Sequence, residues 1–136
     1  MTRNDVSEKN NWYIPKERYL ELVHFCRQYP HWRDQALALT GAGVSHKLSA
    51  ARGQSKSDPT AYYACMLAYY EERMDMVYDS VCGLTDDIVL INALMKNIVY
   101  GTSYDILSAH DVLPVSRSEF YNMRRQFFYI LDGRRN

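Results

Sequence analysis

Residues 101–131 read GTSYDILSAHDVLPVSRSEFYNMRRQFFYIL, and this stretch decides the fold. Gly101 is the residue type that ends a helix, and Thr102 or Ser103 is of the type that starts the next one. Pro114-Val115-Ser116 then leads into Arg117. Ser116 and Glu119 stand at the Ser-x-x-Glu spacing of a capping box, in which each side chain satisfies an orphan amide of the first helical turn. That spacing fixes the start of the last helix. Phe120, Met123, Phe127, Ile130 and Leu131 follow the i, i+3, i+4 rule of a buried stripe. Arg117, Ser118, Tyr121, Asn122 and Arg125 project from other faces. A short helix, a turn and a longer capped helix make a helix-turn-helix over 102–131, whose second helix can enter a DNA major groove. Arginine pairs bidentately with guanine and asparagine with adenine, and the exposed set offers both types. The connection across residues 107–114 is longer than the tight turn of the simplest such motifs.

Upstream, Thr85 is the expected cap of a helix over 88–100, with Asp86 and Asp87 at its positive end. That helix is apolar apart from Asn92, Lys96 and Asn97, as a central buried helix should be. Before it, Asp58-Pro59 restarts the chain as a helix that Gly83 stops. Tyr63, Met66, Tyr70, Met74, Val77 and Val81 form its stripe, flanked by Tyr62, Tyr69 and Tyr78. Aromatic residues at that period read as core with hydroxyls at the rim. Glu71, Glu72, Asp75 and Asp79 make an acidic face.

Thr40 to Ser57 breaks the helical pattern and reads as a long, mildly basic loop. Within it Thr40-Gly41-Ala42-Gly43-Val44-Ser45 resembles the nucleotide-binding phrase of sirtuin deacetylases. A dinucleotide loop needs a strand before it and a βαβ unit around it, and this chain offers no convincing strand. Nearer the start, Pro15 suits the first turn of a helix whose inward face is Tyr19, Leu22, Val23 and Cys26. Tyr29-Pro30 is expected to end or bend it. A short helix over 31–39 would turn Trp32, Ala36 and Leu39 inward. Residues 1–11 are polar and aperiodic, the composition of a disordered tail. The expectation is an all-α fold of five to six helices, one domain over 12–136.

The 136 residues are enough for a sizeable core, and 16 basic side chains balance 16 acidic ones. Zero net charge argues against strong nonspecific binding to nucleic acid, because phosphate neutralisation supplies most of that affinity. The charge is unevenly placed, however. Arg117, Arg124, Arg125, Arg134 and Arg135 face only Glu119 and Asp132 after residue 116, whereas six acids face Arg73 alone between Glu71 and Asp87. Arg134 and Arg135 at the end are suited to phosphate contact.

Three cysteines, Cys26, Cys65 and Cys82, form no C-x-x-C pair. They read as thiols in a reducing cytosol rather than as disulfides or zinc ligands. The four histidines fall in four segments without metal-ligand spacing. Asp86-Asp87 and Glu71-Glu72 point about 100° apart on a helix and do not converge on a substrate. No enzyme, cofactor or metal is indicated. No apolar run reaches the ~20 residues of a membrane span, and the polar start lacks the apolar stretch of a signal peptide. The expected location is the cytoplasm, with no membrane partner.

The order of parts has a family likeness. The Tyr-Pro near the end of the first helix, the polar central loop, the long helix, the apolar helix with an acidic start and the closing Ser-Arg-Ser-Glu-Phe-Tyr-x-x-Arg-Arg segment resemble the RinA/ArpU-type transcription regulators of bacteriophages of Gram-positive bacteria. Those proteins are similar to the DNA-binding end of sigma factors and activate late phage genes. The resemblance implies that Ser116, Arg117, Ser118, Tyr121, Asn122 and Arg125 face DNA. It also implies double-stranded DNA as partner in a bacterial host cell. Host RNA polymerase, another host protein, or a second copy in a homodimer are further candidate partners. The rival expectation is a small phage-encoded inhibitor or adaptor that binds a host protein through its acidic, Tyr-rich helix.

Overall fold

Among the described residues, three helix starts are set by a capping side chain, those of Asp87, Ser103 and Ser116. A computed structural model describes residues 11–40 and 59–135. The expected tail and most of the expected loop, with its Gly-rich phrase, lie outside the described residues. Among those described, the chain forms six helices and no strand: α1 (Lys16–Cys26), α2 (Tyr29–Thr40), α3 (Pro59–Cys82), α4 (Ile88–Tyr100), α5 (Tyr104–His110) and α6 (Arg117–Arg135). The fold is all-α, as the periodicity requires. Within the stretch read from sequence as one domain, contacts fall into two compact units, residues 29–75 and residues 1–28 with 76–136.

In the first of these units, Trp32 and Ala36 are the buried residues of α2. Pro30 sits inside its first turn, so Tyr29-Pro30 opens this helix instead of closing the one before. Proline is tolerated there because the amide it lacks would have no helical partner. The expected α3 stripe of Tyr63, Met66, Tyr70 and Met74 is half-buried, while Tyr62 and Tyr69 are exposed at 60% and 46%. The His31 and Tyr70 rings meet edge to face at 6.2 Å, and the Arg73 guanidinium lies 3.5 Å from the centre of the Tyr69 ring.

The second unit holds the larger core. Leu22, Cys26, Val77, Val81, Leu94, Phe120, Phe127 and Leu131 are fully shielded from solvent. Helix α6 packs on α1, α4 and α5, and α1 also packs on α4. The inward side of α1 is Tyr19, Leu22, Phe25 and Cys26, with Phe25 taking the place expected of Val23. The cap of α4 is Asp87, not Thr85: the Asp87 carboxylate accepts from the amides of Val89 at 2.9 Å and Leu90 at 3.1 Å. Thr85 acts one step earlier, its hydroxyl oxygen accepting from the Asp87 amide at 3.1 Å. The core face of α4 is Leu90, Ile91, Ala93, Leu94, Asn97, Ile98 and Val99.

Gly101 ends α4 in the left-handed region, at φ 77°. Its amide donates to the Asn97 carbonyl at 2.8 Å. A side chain here would meet strain twice, since a Cβ would also lie 2.8 Å from the Arg27 guanidinium. Ser103 then caps α5, accepting from the Ile106 amide at 3.3 Å. A six-residue connection from Asp111 to Ser116 separates α5 from α6, which is the extended turn the sequence implied. The capping box closes as spaced: the Ser116 amide donates to Glu119 Oε1 at 3.0 Å, and the Glu119 amide donates to Ser116 Oγ at 3.2 Å.

Candidate nucleic-acid interface

The inward stripe of α6 is Phe120, Arg124, Phe127, Phe128 and Leu131. Two of its members differ from the pattern read in the sequence. Phe128 and Arg124 are buried, whereas Met123 and Ile130 are only half-buried. The helix is gripped from three sides by α1, α4 and α5, so its covered arc is wider than one stripe, and its rotation is set by an arginine.

Arg124 is 8% exposed. Its Nε donates to Asn97 Oδ1 at 2.8 Å, and its Nη1 donates to the Tyr19 hydroxyl. Its guanidinium also lies 4.9 Å from the centre of the Phe128 ring, which meets Tyr19 edge to face at 5.1 Å. Asn97 in turn donates from Nδ2 to the Thr102 carbonyl at 2.8 Å. One side chain thereby ties α6 to α1 and, through Asn97, to the bend between α4 and α5. Arg124, counted above with the basic end of the chain, is a core residue.

Further anchors complete the placement of α6. Arg18 of α1 forms an ion pair with Asp132, and Trp12 meets Tyr129 edge to face at 5.4 Å. At the other end, the Tyr104 hydroxyl donates to the Val115 carbonyl at 2.7 Å, and the Tyr104 amide donates to the Tyr121 hydroxyl at 3.1 Å. These two bonds hold the start of α5 against the start of α6 across the connection.

The residues singled out in the sequence are not all brought together, and Asn122 is not among those that line the hollow at the start of α6. Arg117, Ser118, Tyr121 and Arg125 come together, lining one shallow hollow of about 210 Å³ at the start of α6. Arg117 and Ser118 are exposed, while Tyr121, Asn122 and Arg125 are half-buried. Ser116 stands just before them and is engaged as the helix cap. Arg134 and Arg135 are at the far end of the helix. Arg134 is exposed, but Arg135 lies 4.0 Å from the centre of the Phe25 ring and 3.9 Å from Glu21 of α1. Arg135 is exposed as well, with its guanidinium beside α1.

Spacing within one helix could not reveal Asp105. It is exposed in the first turn of α5 and forms an ion pair with Arg117 across the connection. A larger hollow of about 390 Å³ lies between α4 and α5, lined in part by Lys96, His110 and Asp111. Its mixed charge suits phosphate less well than the two arginines of the α6 hollow.

Among the described residues, no group of three or more histidine, cysteine or acidic side chains is placed to hold a metal ion. No helix among them is long and apolar enough to cross a membrane. Burial pushes the Cys26 thiol from its ordinary 9.0 up to about 12, against the opposing pull of Arg124, Arg135 and Arg27. In comparisons with known proteins, no family model, no curated protein and no solved structure matches the chain.

Proposed function

We propose that the protein is a DNA-binding transcription regulator that lays the first half of α6 in the major groove of duplex DNA. The observation that carries this reading is the hollow at the start of α6. Two arginines, a serine and a tyrosine converge there on a helix whose opposite side is locked to three others. Arg117 and Arg125 would contact phosphate or guanine, and Tyr121 and Asn122 would read base edges. The likeness to RinA/ArpU-type phage regulators supports the same reading and adds late-gene activation as the biological role.

Mobility shifts over a salt series, using duplex DNA flanking the gene, test it. Arg125→Ala should lower affinity about 5- to 150-fold and relax discrimination at one base pair, the range for losing a base-reading arginine. The salt slope should be shallow, because Arg124 and Arg135 are engaged within the protein. Binding that is unchanged by both Arg117→Ala and Arg125→Ala overturns the assignment.

The second reading is a protein-docking role for α3. It is favoured by the exposed Tyr62 and Tyr69 on a helix that also carries exposed Glu71, Glu72 and Asp75, since tyrosine is enriched at interfaces. A stoichiometric protein partner that survives nuclease treatment, and is lost when Glu71, Glu72 and Asp75 are reversed in charge, would establish it.

A further inference from the structure

We infer that Asp105 sets the discrimination of α6 between its own site and unrelated DNA by holding Arg117 back from phosphate. The inference rests on the duplex-DNA reading above. Asp105 and Arg117 are twelve residues apart in sequence, on different helices, and their charged groups pair directly. Their side chains remain 63% and 59% exposed, so an arriving ligand reaches both. Arg117 also lines the hollow with Arg125. Asp105 thus places a negative charge against one of the two arginines that line the hollow.

Phosphate and base edges respond differently to that arrangement. A phosphate that takes Arg117 must displace the carboxylate and then remain beside it, like charge against like. A guanine edge carries no formal charge, so the carboxylate repels its O6 and N7 acceptors far less. The guanidinium has five N–H donors in a planar fork, and a carboxylate on Nη2 leaves others to donate to guanine O6 and N7. Asp105 therefore weakens the contact common to all DNA sequences more than the contact that reads one of them. Specificity gained by penalising the wrong partner is a difference of affinities, and it needs no extra contact to the right one.

The test measures binding of the full chain to its own upstream duplex and to an unrelated duplex of equal length, from about 50 to 200 mM salt. The proteins compared are wild type, Asp105→Asn, Arg117→Gln and the double variant. Asp105→Asn keeps a hydrogen-bonding oxygen for Arg117 and removes only the charge, and thermal melting followed by circular dichroism verifies that it folds. It should bind the unrelated duplex on the order of tenfold tighter at the low-salt end, the effect of one additional phosphate contact. The gain on its own duplex should be smaller. The gain on unrelated DNA should shrink about three- to fourfold by the high-salt end, and most of it should vanish in the Arg117→Gln background.

Equal changes on both duplexes, weaker binding to both, or a gain that persists without Arg117 would overturn the inference, the second outcome marking Asp105 as a mere brace between α5 and α6. A wild type that binds neither duplex removes the DNA reading and this inference together. A wild type that binds its own duplex, with an unchanged ratio in Asp105→Asn, removes this inference alone.

Discussion

Arg124 carries a charge into the interior, and the protein offsets the loss of hydration with an amide oxygen, a phenol and two aromatic faces. Removing it takes from Asn97 Oδ1 and the Tyr19 hydroxyl the donor that Arg124 gives each of them in a buried site. Arg124→Met, of similar length and without charge, should lower stability by about 2–3 kcal/mol, measured by urea unfolding. Arg134→Met, at the exposed end of the same helix, should leave stability within about 0.5 kcal/mol. Cys26 gives a second residue-scale outcome. Its thiol is raised in the folded state, so the native protein holds that proton at pH values where the unfolded chain releases it. This contribution is complete below pH 9 and is lost as pH rises toward about 12. Stability should therefore fall more steeply over that window in the wild type than in Cys26→Ala, compared by alkaline denaturation.

Among the elements, the bend between α4 and α5 is the most tightly specified. Gly101 must take a left-handed conformation, and the Arg27 guanidinium occupies the space of a side chain. Gly101→Ala should cost about 1–2 kcal/mol from backbone conformation alone, and more from crowding. Arg27→Ala in the same chain should recover only the crowding share, which thermal unfolding of the single and double variants would separate. Most of this element structure was legible in the sequence. The Ser116–Glu119 box, the Gly101 stop, the apolar character of α4 and the long turn all follow from local chemistry, because caps and periodicity act within a few residues. The rotation of α6 was not legible. Periodicity assigns Met123 and Ile130 inward and treats arginine as outward, whereas the partners that make Arg124 a core residue, Tyr19 and Asn97, are distant in the chain. The Asp105–Arg117 pair escaped for the same reason, as did the capture of Arg135 by Phe25. The four hollow residues were recognisable because one helical face defines them.

At the scale of the whole molecule, the pair α5 and α6 should depend on α1. The aromatic face of α6 closes against Tyr19, and Asp132 finds its partner in Arg18, both on α1. A fragment of residues 84–136 should lack a cooperative thermal transition by circular dichroism. Adding a peptide of residues 11–28 in excess should restore helicity and raise the apparent melting temperature with peptide concentration. A fragment that melts cooperatively alone would show that α4, α5 and α6 suffice.

The bond from Arg124 to Tyr19 spans 105 positions of the chain, and that from Arg18 to Asp132 spans 114. Contacts so remote in sequence form only once the chain between them has closed on itself, which places them after the local turns of helix. Local helices would flicker early, yet the orientation of the presented helix would be decided at the close of the process. Substitutions at Tyr19 should then shorten the lifetime of the native state far more than they delay its arrival, leaving the timing of that last docking step in control of how long the presented surface persists.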